Sequence, residues 1–294
     1  GQDKQRETTI MRGLERKIAY SIGLLRRAER LALQLSPEGF YLAFSGGKDS
    51  QCVYHLAKLA GVKFRAHMQV TTIDPPELMQ FVRTHYPDVI LHRPPINFYK
   101  LVERKKMLPR SNVRYCCAVL KEDAGAGTVT LTGVRAAESS RRARRNEAEI
   151  FSHNAHRRKV ANPDLFDLNT EKQHLCIRGQ DKISVQPIFR WSDADVWNFL
   201  RGNGIEYCRL YDEGFTRIGC IFCPMGSRRS HILERARYPG VEQAIKRSIH
   251  KIIDEHGYMK GFQATADEVF DWWLSKEPAS EFFGMLRGQT KLNL

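Results

Sequence analysis

The spacing of apolar positions along the chain predicts helices that alternate with short strands. A long N-terminal helix that ends before Pro37 is indicated by apolar residues at near-helical intervals, which are Ile10, Leu14, Ile18, Ile22, Leu25 and Leu33. Apolar runs that predict strands lie at 40–44, 63–70, 89–91 and 128–132. Because helical patterns separate the first three runs, the chain is expected to form an α/β fold with a doubly wound parallel sheet.

The last third of the chain carries mainly helical signals. Ser192 with Asp195 forms a capping-box pattern, in which each side chain bonds the other's backbone N–H at the start of a helix. A basic amphipathic stretch at 241–256 ends at Gly257, a residue suited to the left-handed end of a helix. The predicted organisation is an N-terminal tail and helix at 1–36, an α/β domain at 37–207 and a cysteine-containing helical lobe at 208–294.

A glycine turn follows the first predicted strand. It consists of Ser45, Gly46, Gly47, Lys48, Asp49 and Ser50, and a helical pattern begins within it. The two glycines permit backbone angles that a side chain would block, and the strand-turn-helix order aims free N–H groups and the positive helix end at one point. That point suits a phosphate chain, with Lys48 neutralising charge and Asp49 and Ser50 capping the helix or helping to hold Mg²⁺. The spacing differs from a Walker P-loop, whose earlier glycine would fall at Leu42.

Four of the seven cysteines are grouped in two pairs. Cys116 and Cys117 are adjacent, and Cys220 and Cys223 form a C-x-x-C. Thiolates at such spacings can converge on zinc or on an iron–sulfur cluster, and the adjacent pair favours a [4Fe–4S] cluster because zinc sites usually use two C-x-x-C pairs. Structural zinc and plain thiols stay open as alternatives. The odd cysteine count and the lack of a secretory leader favour a reducing, cytoplasmic setting over a disulfide framework.

Basic residues outnumber acidic residues by a wide margin. The chain has 47 Lys and Arg against 33 Asp and Glu, a net charge of +14 that favours a polyanionic partner. Arginine-rich clusters lie at 141–145, 157–159 and 228–229. No apolar run is long enough to cross a bilayer, so no membrane partner is expected.

These motifs together resemble the phosphoadenosine phosphosulfate (PAPS) reductase family. The turn at 45–50 looks like the PP-loop of the ATP pyrophosphatase superfamily, which cleaves ATP between its α and β phosphates. Other segments that match, in the family's order, are Leu131–Arg141, Pro187–Trp197 and Leu210–Cys220. The resemblance implies a PP-loop α/β fold that binds an adenine nucleotide on 45–50 and on Gly133, Arg135, Glu138 and Arg141. It leaves Arg142, Arg144 and Arg145 to meet a larger anion.

The chain departs from the family's reductases in one feature. Those enzymes carry a catalytic cysteine in a C-terminal Glu-Cys-Gly-Leu-His segment, whereas no cysteine follows Cys223 here. Outside the quartet and Cys52, the other thiols are Cys176 and Cys208. The interpretation therefore favours a related branch, which includes the ATP pyrophosphatase subunits of DNA phosphorothioation systems. In that branch ATP activates an acceptor so that sulfur can replace oxygen.

On this interpretation the protein is a cytoplasmic iron–sulfur ATP pyrophosphatase that uses a [4Fe–4S] cluster, ATP and Mg²⁺. The expected catalytic residues are Lys48, Asp49 and Arg135, and the expected cluster ligands are Cys116, Cys117, Cys220 and Cys223. Expected partners are nucleic acid, DNA rather than tRNA, a cysteine desulfurase or other sulfur donor, and further copies or subunits of a complex. Three alternatives stay open: a PAPS or adenylyl-sulfate reductase, an enzyme that adenylylates a small molecule, and a non-catalytic nucleotide-binding iron–sulfur subunit that binds DNA.

Overall fold

A mostly parallel sheet organises the computed structural model, which describes residues 2–122, 124–151 and 182–288. Its strands are β1 Phe40–Ala43, β2 Phe64–Gln69, β3 Ile90–His92, β4 Val129–Leu131, β5 Ala148–Phe151 and β6 Lys182–Val185. They lie in the order β3-β2-β1-β4-β6-β5, and only the edge pair β5 and β6 is antiparallel. The predicted α/β fold is confirmed. The antiparallel β5–β6 edge was not predicted, since periodicity does not show which strands pair.

Helices fill the connections between the strands and most of the last third of the chain. In chain order they are α1 Gln2–Leu35, α2 Lys48–Ala60, α3 Pro76–His85, α4 Phe98–Lys105, α5 Tyr115–Cys117, α6 Ser140–Ala143, α7 Asp193–Gly202, α8 Arg228–Arg237, α9 Pro239–His256, α10 Ala266–Ser275 and α11 Ala279–Leu286. The capping box at Ser192 and the left-handed Gly257 (φ 64°) confirm two of the sequence signals. Across the residues described, no helix combines the length and apolar character needed to cross a membrane.

The chain divides into two compact units. The first comprises Gly1–Gln69, Glu77–His92 and Asp123–Arg209 and contains the sheet. The second comprises Val70–Pro76, Arg93–Glu122 and Leu210–Leu294. The predicted boundary after residue 207 lies close to one of these joins. The sequence prediction placed residues 93–122 in the α/β domain, whereas in the structure they belong to the second unit. The reason is that α4 packs against α9, a contact between distant parts of the chain that the spacing of apolar residues does not reveal.

Strand pairing in the first unit brings two turns to the same edge of the sheet. β1 pairs in parallel with β4, with Tyr41 opposite Thr130 and Leu42 opposite Leu131. Leu42 and Leu131 are fully buried, which fixes the register, since a slip of one residue would turn both out of the core. The turns that follow β1 and β4 therefore meet beyond the carboxyl ends of these strands, where parallel sheets bind ligands.

Three rings stack across β1, β2 and β3 on one face of this sheet. The rings of Tyr41 and His67 are 4.1 Å apart and nearly parallel, and His67 Nδ1 lies 2.8 Å from Nε2 of His92. Burial, together with the charges of His92 and Arg65, lowers the pKa of His67 to about 4. The neutral imidazole is thus the form that the folded chain favours.

We expect His67 to make the first unit sensitive to acid. The unfolded chain takes up a proton near the ordinary histidine pKa of about 6.5, so this part of the stability is present above that pH and is lost as the pH falls toward about 4. His67→Gln should remove about 1 kcal/mol of the difference in unfolding free energy between neutral pH and about pH 5, a value reduced for the partial exposure of the ring. Urea unfolding at both pH values measures it, and an unchanged pH dependence would contradict the assignment.

Candidate nucleotide site and cysteine cluster

The turn between β1 and α2 requires glycine at one of its two glycine positions. Gly46 has φ 72°, and a Cβ there would lie 2.7 Å from Leu78 Cδ1 and from Val82 Cγ2. Gly47 has φ −79° and is the N-cap of α2, a conformation open to other residues. The sequence analysis predicted that both glycines adopt backbone angles that a side chain would block. This prediction is correct for Gly46 and wrong for Gly47.

Ser50 holds the turn in shape from the first turn of α2. Its hydroxyl donates to the carbonyl oxygen of Gly47 at 2.9 Å and accepts the backbone N–H of Ser45 at 3.1 Å. The turn is therefore fixed before any ligand arrives, which lowers the entropy cost of binding. The first N–H groups of α2 and the positive end of its dipole lie at this turn, an arrangement suited to a phosphate group.

A buried lysine stands at the start of α2. Lys48 is only 5% exposed, and its ammonium lies 3.2 Å from Asp193 Oδ1 and 3.4 Å from Asp49 Oδ2. A buried ammonium needs such partners, because desolvation alone would be costly. Lys48 is thereby held at the mouth of the phosphate-facing turn.

Arg135 joins the same two carboxylates from the turn after β4. Its Nε donates to Asp49 Oδ1 at 2.6 Å and its Nη2 donates to Asp193 Oδ1 at 3.0 Å. Burial opposes the charge of this guanidinium, but Asp49, Glu138 and Asp193 outweigh it and raise its pKa. Two cations and two carboxylates thus form one network, in which Arg135 positions Asp49 as much as it offers charge to a ligand.

Close approach of the two turns depends on Gly133. A Cβ at this residue would lie 2.9 Å from the carbonyl carbon of Asp49. Glu138 then closes the second turn, since its Oε2 accepts the backbone N–H of Arg135 at 2.9 Å. The structure therefore brings together 45–50, Gly133, Arg135 and Glu138 as the sequence predicted, and it places Arg141 in the next helix, α6.

The arginine cluster after this site differs from the prediction. Arg142 forms an ion pair with Glu138, and Arg145 pairs with Glu149 at 2.6 Å. The expectation that both would be left to meet a larger anion is wrong, because the short turns on either side of α6 bring Glu138 and Glu149 back to these arginines. Arg144 is exposed. The cluster at 157–159 and Cys176 lie outside the described residues.

Asp193 is a site residue that the sequence interpretation missed. It lies in the family-like segment Pro187–Trp197, at the first position of α7, and contacts both Lys48 and Arg135. Acidic residues in the first turn of a helix are common for reasons of capping, so its position alone gave no signal of a site. Only the packing of α7 beside the turn reveals it.

The four paired cysteines all belong to the second unit and are free thiols. Cys116 and Cys117 lie in α5, and a π-helical turn at Ala118–Glu122 follows them. A hydrogen bond with Cys117 raises the pKa of Cys116 most, followed by burial and by the charges of Cys117, Cys220 and Cys223. The four thiols are thus within electrostatic reach of one another, and they repel as thiolates unless positive charge compensates them.

Lys121 supplies some of that positive charge and was not predicted. Burial opposes its ionisation, but the charges of Cys220, Asp74 and Cys117 and a hydrogen bond to Cys220 raise the pKa of the ammonium. On the other side, Cys220 Sγ lies 3.4 Å from Thr71 Oγ1. The signal in the sequence was the spacing of four residues between Cys117 and Lys121, which returns a side chain to the same helical face.

Helix α8 holds the backbone of the Cys220–Cys223 loop. Glu234 accepts the backbone N–H of Phe222 at 2.9 Å, and His231 Nε2 lies 2.9 Å from the carbonyl oxygen of Cys223. Phe222 has φ 54°, a left-handed conformation that costs free energy in a non-glycine residue. These two buried side chains, three positions apart on α8, stabilise the strained loop and so orient its thiols.

The predicted [4Fe–4S] cluster stays a prediction. Within the stretches that the structure describes, no three cysteine, histidine or acidic side chains are close enough to hold one metal ion. A four-iron cubane spaces its thiolates more widely than one tetrahedral zinc does. Four free thiols of the second unit, with Lys121 beside Cys220, are the residues that would hold such a cluster.

A sizeable cleft in the first unit lies away from this chemistry. It has a volume of about 690 Å³ and is lined by residues of the C-terminal half of α2, the loop before β3 and the end of α7. Its lining includes none of residues 45–50, Arg135 or Asp193. Charge and backbone geometry, rather than cavity size, therefore identify the nucleotide site.

A phosphate-facing turn beyond a parallel strand, with buried cations beside it, defines a nucleotide-binding α/β protein of the PP-loop type. The profile of the phosphoadenosine phosphosulfate reductase domain matches residues 39–226, and the chain belongs to this family.

Comparison with known proteins gives relatives of several kinds. An uncharacterised protein of Methanocaldococcus jannaschii is 27% identical over 240 residues, which cover 80% of this chain and 51% of that protein. The chain thus spans about half the length of that relative. A probable FAD synthase of Schizosaccharomyces pombe is 25% identical over 215 residues, 71% of this chain and 68% of the relative. An adenosine 5′-phosphosulfate reductase of Neisseria meningitidis is 48% identical over 46 residues, 16% of this chain and 18% of the relative.

Solved structures include FMN adenylyltransferase of Candida glabrata, with a TM-score of 0.45, 16% identity, and coverage of 72% of this chain and 63% of that one. A PAPS reductase of Candida auris matches with a TM-score of 0.40 and 15% identity over 65% of this chain and 85% of that one.

Proposed function

We propose that this protein cleaves ATP between its α and β phosphates and transfers the adenylyl group to an acceptor oxygen. The observation that carries the proposal is the network of Lys48, Arg135, Asp49 and Asp193 at the phosphate-facing turn. The relative matched over most of both chains is called a probable FAD synthase, and FAD is a compound that contains an adenylyl group. Family membership and this relative support nucleotide chemistry at the α-phosphate.

In the proposed reaction, residues 45–50 bind the β and γ phosphates of ATP at the start of α2. An acceptor oxygen attacks the α-phosphorus, the bond to the β-phosphate oxygen breaks, and pyrophosphate leaves. Lys48 neutralises the charge that develops on the leaving group, and Arg135 does so while it keeps Asp49 in place. Mg²⁺ bound to ATP would supply further charge neutralisation, with Asp49 as the carboxylate nearest to the turn.

The acceptor in this proposal is a nucleic acid that is being prepared for sulfur insertion. A sulfide-level donor from a desulfurase partner then attacks the activated atom, and AMP leaves with the original oxygen, so that sulfur replaces oxygen without a change of oxidation state. The net charge of +14 supports a polyanionic acceptor. DNA is proposed before tRNA, in a complex with the sulfur donor.

Cys116, Cys117, Cys220 and Cys223 are proposed to hold a [4Fe–4S] cluster in the second unit. Such a cluster would supply electron transfer or structural support. Lys121 compensates the negative charge of the ligand set, and Glu234 and His231 hold the loop of the second pair. Outside this quartet, the cysteines that the structure describes are Cys52 and Cys208, and both are buried. That burial argues against Cys52 and Cys208 as the accessible thiolate that the reductase alternative needs.

The test is anaerobic incubation of the protein with ATP and Mg²⁺, with and without DNA or tRNA, followed by separation of AMP, ADP and pyrophosphate. We expect equal amounts of AMP and pyrophosphate, with faster formation when the acceptor is present. Lys48→Ala is the inactive control and should release no AMP, since it removes the ammonium beside the turn while leaving the backbone unchanged.

A parallel incubation offers PAPS or adenylyl sulfate with a thiol reductant. Sulfite release there, with ATP left intact, would replace the proposal by a reductase. ADP in place of AMP would show cleavage at the wrong phosphate and would also refute it.

A further inference from the structure

One segment of the second unit carries positive charge that no acidic residue balances. Residues 104–114, here called the basic segment, contain five cations and no acid: Arg104, Lys105, Lys106, Arg110 and Arg114. All except the half-buried Arg114 are exposed. In the described part of the chain, none of the five forms an ion pair. An exposed cluster of this kind has a field that attracts polyanions.

Several cations in other helices of the second unit form ion pairs. Arg235 pairs with Glu242 and Asp271, Lys246 pairs with Glu242 and Asp267 at 2.6 Å each, and Lys251 pairs with Glu103 at 2.8 Å. Acidic neighbours therefore compensate several cations of α8 and α9, whereas Arg228, Arg229 and Arg247 form no ion pair among the described residues. The basic segment differs from these helices in density, since it holds five cations and no acid within the eleven residues 104–114.

Burial and hydrogen bonds hold the backbone of the basic segment in place. Leu108 and Pro109 are buried, Trp273 Nε1 donates to the carbonyl oxygen of Pro109 at 2.6 Å, and Tyr115 donates to that of Met107 at 2.5 Å. Arg110 and Val113 exchange backbone hydrogen bonds at 3.1 and 3.0 Å. A rigid backbone presents the cations at fixed spacing, so less conformational entropy is lost when a ligand binds.

The cationic surface extends beyond the segment itself. Arg110 lies 5.3 Å from the ring of Trp272, and it lines a small crevice together with Pro224 and Lys276. Val113 and Met225, at the edges of this surface, are 41% and 43% exposed. Cations that follow a rigid loop, with apolar side chains among them, suit an extended strand whose phosphates and bases alternate.

We propose that the basic segment, extended by Lys276, binds the phosphate backbone of a nucleic-acid strand. The choice of nucleic acid among polyanions rests on the proposed function, whereas the existence of the anion surface rests on the unpaired cations alone. Only Tyr115 separates the segment from Cys116 in the chain, so a strand held there lies near the residue that begins the cysteine quartet.

Fluorescence anisotropy with short labelled oligonucleotides tests this without ATP, so the outcome does not depend on catalysis. The probes are a single-stranded DNA, its duplex and an RNA hairpin, each titrated between about 50 and 200 mM salt. Removing two phosphate contacts in Arg104→Gln/Arg110→Gln should reduce the slope of log affinity against log salt by about 1.4 for a single strand and about 1.8 for a duplex. The probe with the largest loss identifies the form of nucleic acid.

The matched control replaces two cations of the same unit that already have acidic partners, Lys251→Gln/Arg287→Gln. We expect it to keep the wild-type salt slope. An equal loss in the control, or a wild-type slope in Arg104→Gln/Arg110→Gln, would overturn the proposal, and equal affinity for polyglutamate would show a surface that does not recognise phosphates. If the salt slopes agree with this expectation but incubation with ATP yields no AMP, the proposed function is refuted and the nucleic-acid surface is retained.

Discussion

Arg135→Lys is expected to lower kcat/KM for pyrophosphate release from ATP by about 10²-fold. Lysine keeps the positive charge but replaces the rigid planar fork by one compact ammonium, so it cannot reproduce the two separately directed bonds from Nε to Asp49 and from Nη2 to Asp193. Asp49 then loses its 2.6 Å hydrogen bond and moves relative to Lys48, which displaces charge from the phosphate-facing turn. Steady-state release of pyrophosphate measures the effect.

Stability must be separated from catalysis in this experiment, because Arg135 is only 3% exposed. The matched control is Arg190→Lys, since Arg190 is an exposed arginine of the same unit paired with Glu147 at 2.7 Å. It should retain full activity, and both variants should unfold at urea concentrations close to that of the wild type. A folded Arg135→Lys protein with unchanged kcat/KM would show that the network does not serve the reaction.

The second large effect is expected from Cys116→Ser/Cys220→Ser, one substitution in each pair. The unsubstituted protein, purified without oxygen, should contain about four irons and about four acid-labile sulfides per chain, and the double variant should contain neither. Serine retains the size of the side chain but is a poor ligand for iron, which prefers thiolate. Iron and sulfide analysis, with the visible absorbance of the cluster, gives a readout that is independent of activity.

Cys52→Ala is the matched control, since Cys52 is a fully buried cysteine of the first unit. It should retain all of its iron. Zinc without sulfide in the unsubstituted protein would contradict the cluster and favour a tetrahedral zinc site, and iron retained by Cys116→Ser/Cys220→Ser would show that other residues hold it. A second variant, Glu234→Leu, leaves all four thiols in place but orphans the N–H of Phe222, so it should lose iron to a chelator faster than wild type.

Much of the first unit could be predicted because its signals are local. The capping box at Ser192 and the glycine that ends α2, Gly61 at φ 70°, act within one turn of a helix. The turn at 45–50 was predicted as a phosphate site for the same reason, since strand, glycine and helix N-terminus are contiguous. The hydrogen bonds of Ser50 complete the turn within six residues.

Sequence separation explains what could not be predicted. Asp193 is far along the chain from Lys48 and Arg135, and its carboxylate reaches both only when α7 packs beside the turn. The pairing of Arg142 with Glu138 was missed because a run of arginines suggests a free surface, whereas the turn through Ser139 brings the two side chains together.

The sequence by itself determined the alternation of helix and strand, the phosphate-facing turn and the identity of four thiols, because each depends on neighbours within a few residues. Tertiary structure alone decided which charges remain unpaired. It gave Lys48 and Arg135 two shared carboxylates, placed Lys121 against Cys220, and left the cations of the basic segment without acidic partners among the described residues. The physical reason is that the energy of a charge depends on the distance to every other charge and on its burial, and folding sets both.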